Sequence, residues 1–302
     1  MKNAMGRREW LHLALLSLLW GCSFFFIEVA LRDIPVFTVA AGRTGIGAAV
    51  LAGYLVLSGV SLKPIAERWR GLVVLGALRA AIPICLIVWA QTRIDSGLAG
   101  ILNSTSPLFT MIIAHYLAGD RLTRRKIAGC AIGMSGVALM IGVDALRGLG
   151  DGVLGQLAML GATCCYGFAA SYGKRFEDMP HALSAAGMLA GATALILPAC
   201  VLLEHPWTLR PGVAPVAALC ALAILSTAIG FVVWFRLIQA AGPSNTSLVT
   251  FLIPPVALAL GIAVLGEQPS VSSFAGVAII FAGLAITQSS FPRINGAESD
   301  RS

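Results

Sequence analysis

Apolar runs separated by short polar gaps cover the chain from end to end. Cutting at polar clusters, Gly and Pro gives ten of them, at about 11–31, 35–57, 70–91, 97–118, 126–142, 152–173, 182–203, 213–237, 244–265 and 271–288. Several approach the ~20 residues a helix needs to cross ~30 Å of hydrocarbon, where lipid offers no partner to an unpaired backbone amide. The period-two alternation of a β-barrel strand is missing. The pattern predicts an all-α integral membrane protein of ten transmembrane helices, the fifth run being the shortest and the sixth holding Gln156 and many small residues.

The chain also repeats itself. A shift of 147 residues lays Pro107 to Ala138 on Pro254 to Ala285 without a gap, matching Pro107 with Pro254, Gly119 with Gly266, Gly129 with Gly276 and Gly136 with Gly283, and Asp120 with the chemically similar Glu267. Self-similarity at a fixed shift marks a duplicated unit. Ten runs are then two five-helix repeats, 11–142 and 152–288, joined by a linker at 143–151. A segment 1–10 precedes them, and the polar, patternless tail 289–302 is expected to be disordered.

Charge fixes the expected orientation, because cytoplasmic loops collect Lys and Arg. With the N-terminus inside, the outer gaps hold only Arg32, Arg93, Arg147 and Arg210, and two arginines, Arg43 and Arg79, lie within spans. The remaining fifteen of the 21 basic residues fall on the inner side, so both termini are predicted to be cytoplasmic. Five spans per repeat, an odd number, make the second half enter the membrane from the opposite side. The halves are then inverted repeats, with Asp120 inside and Glu267 outside, and a substrate site is expected near the midplane where they meet.

Composition agrees: 58% of the 302 residues are hydrophobic, 12% are charged, and the mean hydropathy is +0.86. The net charge of +7 is scattered over the gaps rather than gathered on one face, which argues for topology and against nucleic acid. Seven cysteines fall inside apolar runs with no CxxC, so packing is expected rather than a disulfide frame or a zinc site. Arg7 and Arg8 precede a run that continues to Leu31, too long for a signal core, so the first run reads as a retained helix. No Walker loop, HExxH, GxSxG or dinucleotide fingerprint occurs in a usable context, and neither an enzyme nor a cofactor is indicated.

The polar residues inside the runs are the candidate chemistry. Arg79, halfway along span three with Pro83 one turn on, suits a substrate carboxylate gripped by two parallel hydrogen bonds; neutralisation by backbone carbonyls, by Glu28 or by snorkelling is the alternative. Its repeat mate is Ser226, followed by Thr227. Glu28 and Arg43 share a depth in spans one and two, where each must face protein or a water-filled cavity; they read as a structural pair or as a coupling carboxylate and its partner. Asn103 to Ser106 before Pro107, and Asn245 to Thr250 before Pro254, form two polar patches at which proline frees a carbonyl for a ligand or for the bundle. Trp20 and its repeat mate Tyr166 are deep enough for a cavity wall or a core, whereas Trp89 and Trp234 read first as interfacial anchors. His115 reads as core or interface rather than a proton relay. Glycines 129, 133, 136, 276 and 283 let helices five and ten approach closely, either within one chain or between two copies in a homodimer.

Taken together, WGCSFFF at Trp20 to Phe26, Arg43 within VAAGRTGIGAAVL, STSPLFTMIIAHYLAGDRLT, and in the second half SLVTFLIPPVALALGIAVLGEQPS and SFAGVAIIFAGLAI resemble the EamA-type repeat of the drug/metabolite transporter superfamily. Asp120 in place of the usual Glu, and the lack of an arginine matching Arg43 in the second half, depart from that pattern. Within the family the chain looks most like amino-acid exporters of the YddG kind. The resemblance implies a ten-helix secondary transporter of the bacterial inner membrane that exports small organic metabolites, amino acids foremost, by alternating access. Trp20, Arg79, Asn103, Tyr166, Ser226 and Thr250 are expected to line its cavity. Efflux of drugs or cationic solutes is the runner-up, and a membrane-embedded enzyme or scaffold the reading from another class.

Overall fold

The computed structural model describes residues 5–94, 96–117, 119–120, 122–141, 152–256 and 271–288, and every regular element among them is helical. The expected linker 143–151, the tail 289–302 and Glu267 lie outside the described residues.

Helix α1 (Arg7–Ala30) carries Glu9 in its first turn, where an acid complements the positive end of the helix dipole. Pro35 then precedes α2 (Val36–Leu57), which stops where Gly59 takes a φ of +71°, a left-handed conformation that only glycine adopts cheaply. A short α3 (Lys63–Glu67) leads into α4 (Trp69–Ala90), whose middle, Ala77–Ala81, is wound as a π-turn. In the second half, α8 (Val153–Gly173), α9 (His181–Glu204) and α10 (Val213–Ala241) follow one another, and α10 contains a longer π-turn at Leu222–Ile229. With the extension of α8 to Phe176, α1, α2, α4, α8, α9 and α10 are each long and apolar enough to cross a membrane.

The other four expected spans take different forms. Span four is two helices, α5 (Ser96–Asn103) and α6 (Ser106–Leu117), rather than one continuous crossing. The hydroxyls of Ser104 and Thr105 turn back onto the carbonyls of Ile101 and Leu102 at 2.6 and 2.7 Å, and Pro107 has no N–H for the carbonyl of Asn103. That carbonyl accepts the Ser106 hydroxyl at 2.7 Å instead, so the bundle, not a ligand, satisfies it. Span nine is likewise interrupted at 247–248, between α11 (Pro243–Thr246) and α12 (249–256), with Pro254 half-buried in α12. Span five, α7 (Arg124–Ile141), opens on Arg124, Arg125 and Lys126, and span ten is the shorter apolar α13 (Val271–Gln288).

Packing pairs helices from the two sequence halves: α7 lies along α13, α2 along α9, α1 against α10, and α8 against α4 and α6. The glycine seam is used within one chain, because Gly129 and Gly136 on α7 meet the backbone of Gly283 and Gly276 on α13. Polar ties join the same halves at both ends. At one end, the Glu204 carboxylate accepts the N–H groups of Phe37 and Thr38 (2.8 and 2.6 Å) and the Thr38 hydroxyl (2.7 Å), supplying the N-terminus of α2 with the anionic cap that Pro35 cannot provide. Nearby, Asp33 accepts the Gly212 N–H at 2.9 Å. At the other end, Asp120 accepts the Ser244 hydroxyl at 2.9 Å and lies 3.7 Å from the Lys174 ammonium, while Arg68 forms a two-pronged pair with Asp178.

Candidate functional site

Between the two ends, α1, α4, α8 and α10 and the broken helices α5–α6 and α11–α12 line a cavity of about 90 Å³.

The π-turn of α4 puts Arg79 into the wall, only 6% exposed. Four aromatic rings surround its guanidinium carbon: Tyr166 at 4.3 Å from the ring centroid, Trp20 and Trp234 at 4.8 Å each, and Phe231 at 5.2 Å. Each face attracts the cation, by ~0.5 kcal/mol in water and ~2 when desolvated. The rings therefore hold Arg79 without neutralising it, and its Nε has no hydrogen-bond partner among the described residues. Arg43, from α2, reaches the same cavity, and its Nε donates to the Thr227 hydroxyl at 2.7 Å. No Asp or Glu stands among the described lining residues, so two cations share the cavity without an acid.

The remaining polar lining is mostly hydroxyl. Ser23, Ser106, Thr246, Ser247 and Thr250 all line the cavity, and each donates its proton to a backbone carbonyl three or four residues back, at 2.6 Å (Ser23 to Trp20) to 3.0 Å (Thr250 to Ser247). With their protons committed, these oxygens offer lone pairs only, and so act as acceptors. Asn103, buried at the break between α5 and α6, adds an amide. The cavity thus combines two guanidinium groups, which can donate to an anion, with hydroxyl oxygens that can accept from an N–H group.

Of the residues expected from sequence, Trp20, Arg79, Asn103, Tyr166 and Thr250 meet here. Ser226 stands behind the wall: it is fully buried, donates to the Leu19 carbonyl at 2.6 Å, and accepts the Trp20 indole N–H on its own carbonyl at 3.0 Å. The Glu28–Arg43 pair does not form, because Glu28 is exposed on the outer face of α1 while Arg43 turns inward to Thr227. Pro107 occupies the first turn of α6, where a missing N–H costs nothing. His115 is exposed and bonds the Asp120 carbonyl at 2.9 Å. Trp234, read first as an interfacial anchor, is 3% exposed and forms part of the aromatic box. Phe231 completes the box; its spacing of three residues before Trp234 on α10 is the sequence signal that places both rings on one face.

A sequence profile for the EamA-like transporter family matches residues 8–142 and again 153–288. Over 283 residues the chain is 25% identical to the uncharacterized transporter YoaV of Bacillus subtilis (strain 168), covering 92% of this chain and 95% of that one. It is 28% identical over 275 residues to a probable terminal-alkyne amino-acid exporter of Streptantibioticus cattleyicolor, covering 91% of each. Identity to the uncharacterized inner membrane transporter YedA of Escherichia coli (strain K12) is 25% over 280 residues, covering 90% of this chain and 88% of that one. A solved crystal structure, 22% identical, superposes with a TM-score of 0.78 over 93% of this chain and 96% of its own, which shows a shared fold.

Proposed function

The chain belongs to the EamA-like transporter family, and from that premise we propose that it exports small zwitterionic metabolites, amino acids foremost, across the bacterial inner membrane. The observation that carries the reading is the chemistry of the cavity: Arg43 and Arg79 without a described lining carboxylate, in a wall that also holds hydroxyl oxygens whose protons are committed to carbonyls. An amino acid satisfies both, its carboxylate on a guanidinium and its ammonium on the acceptors, and the aromatic rings accommodate an apolar side chain. Efflux of a cationic drug calls for an acid among those rings, and the described lining offers none. The exporter of S. cattleyicolor and the inner-membrane relative of E. coli support the substrate class and the location respectively.

Transport proceeds in this reading by alternating access between two inverted five-helix halves, with the Asp120 end cytoplasmic. The Glu204 cap and the Asp120–Ser244 tie, at opposite ends, are the contacts that break in turn.

Proteoliposomes holding the full chain test it. Each of the twenty common amino acids competes against a labelled one, alongside its amide, which lacks the carboxylate charge. A charge-assisted hydrogen bond is worth ~1.5–3 kcal/mol, so the amide is expected to compete about 10–100-fold less well, and Arg79→Gln to lose that preference. Equal competition by acid and amide in the wild type, or full selectivity in Arg79→Gln, refutes the proposal.

A further inference from the structure

The π-turn of α10 lies where the 147-residue repeat places the π-turn of α4, since 77–81 maps onto 224–228, within Leu222–Ile229. The first turn carries Arg79. The second carries no charge, and its two polar residues, Ser226 and Thr227, are fully buried outside the cavity lining.

In an α-helix a threonine hydroxyl bonds the carbonyl three or four residues back. The wider winding here brings the Thr227 hydroxyl to the carbonyl five back, Leu222, at 2.9 Å. Its proton is spent there, so the oxygen presents only lone pairs, and the Arg43 Nε–H donates into them at 2.7 Å. A guanidinium is a rigid plane. Anchoring Nε fixes that plane and with it the direction of the fork formed by the two terminal nitrogens. One residue earlier, the Ser226 carbonyl takes the Trp20 indole N–H at 3.0 Å, and the Ser226 hydroxyl holds the α1 backbone at Leu19. One turn later, Gly230 leaves room for that ring: a Cβ there would sit 2.8 Å from the indole nitrogen. Trp20 is one wall of the box around Arg79. One unwound turn therefore orients Arg43 directly and confines Arg79 through Trp20, though the two arginines stand on different helices.

We infer that Thr227 is a positioning residue that sets the carrier's preference for carboxylates by aiming Arg43, with Ser226 and Gly230 doing the same for Trp20. This rests on the zwitterion reading above.

The test uses the full chain in proteoliposomes, with whichever of the twenty common amino acids the wild type carries fastest, and that amino acid's amide. Thr227→Val keeps the side-chain volume and removes the acceptor. It is expected to raise KM for the acid about tenfold, with kcat and the KM of the amide within about twofold of wild type. Thr227→Ser restores the acid KM, Arg43→Gln reproduces the Thr227→Val values, and combining the two adds nothing further. Gly230→Ala, acting through Trp20, lowers acid affinity independently of Arg43→Gln. If Thr227→Val does not fold, Thr227→Cys, a far weaker acceptor of similar size, carries the same expectation. Acid and amide weakened alike, or no rescue by serine, reduces Thr227 to a packing residue and overturns the inference alone. A wild type indifferent to acid and amide overturns this inference together with the reading beneath it.

Discussion

Replacing Gly283 by alanine adds one methyl group to α13, and the seam with α7 shows what that methyl meets. It would lie 2.6 Å from the carbonyl oxygen of Gly129, 2.6 Å from the nitrogen of Gly133 and 2.9 Å from its Cα, against an ordinary contact of 3.4–4 Å. All three are backbone atoms, so no side chain can swing aside and the helices must separate by about 1 Å. A gap of that size forfeits a quarter to a half of each dispersion contact along the seam, and overpacking typically costs ~1–3 kcal/mol. The upper part of that range is expected, read as a lowered thermal midpoint of the purified protein in detergent. Gly53 on α2 is the internal control, since among the described residues nothing lies within 4 Å of a Cβ added there. There the same substitution is expected to be neutral or to stabilise by up to ~1 kcal/mol through helix propensity. Gly129→Ala meets the same seam, with a Cβ 2.7 Å from the Gly283 carbonyl oxygen. Once one alanine has parted the helices the second finds room, so the double variant should cost less than the two singles together, by ~0.5–3 kcal/mol. A Gly283→Ala protein that melts with or above the wild type, or strict additivity, refutes the backbone contact between α7 and α13.

Two further outcomes follow from the ties at the ends of the bundle. Glu204→Ala leaves the first N–H groups of α2 without their cap and is expected to destabilise by ~1–2 kcal/mol, with Glu204→Gln recovering part; an unchanged thermal midpoint in Glu204→Ala counts against the cap. Asp178 is held below the ordinary aspartate range first by its hydrogen bond from Arg68. A depressed folded-state value means the contribution is present above the unfolded pKa near 4 and is lost as pH falls through the folded value. The difference in thermal midpoint between wild type and Asp178→Asn should therefore be small but constant from pH 7 to 5 and shrink progressively as pH falls below about 4, and high salt should shrink it. A difference that does not shrink at all between pH 5 and pH 2 excludes the ion pair as its cause.

The run lengths and the Lys/Arg asymmetry made the membrane class legible in the sequence, because insertion depends on summed hydrophobicity over some twenty residues and needs no knowledge of neighbours. Trp20, Arg79, Asn103, Tyr166 and Thr250 could be picked out for the same kind of reason: polar or amphipathic groups deep in apolar runs are expensive unless they face a cavity. What one-dimensional pattern could not carry was the partner of each group. Glu28 and Arg43 share a depth, yet helix rotation, decided by packing of α1 and α2, turns one outward and the other onto Thr227. Trp234 looked like an interfacial anchor because it ends a run, but the extra residue in the π-turn rotates the helix beyond it and swings the ring into the cavity. The breaks in spans four and nine depend on hydroxyls finding carbonyls one turn back, a local contest between side chain and helix that hydropathy does not register. Hydrophobicity and charge bias thus determined that the chain enters a membrane and where its costly residues lie, and only the tertiary structure, through helix rotation and π-winding, decided which of them meet.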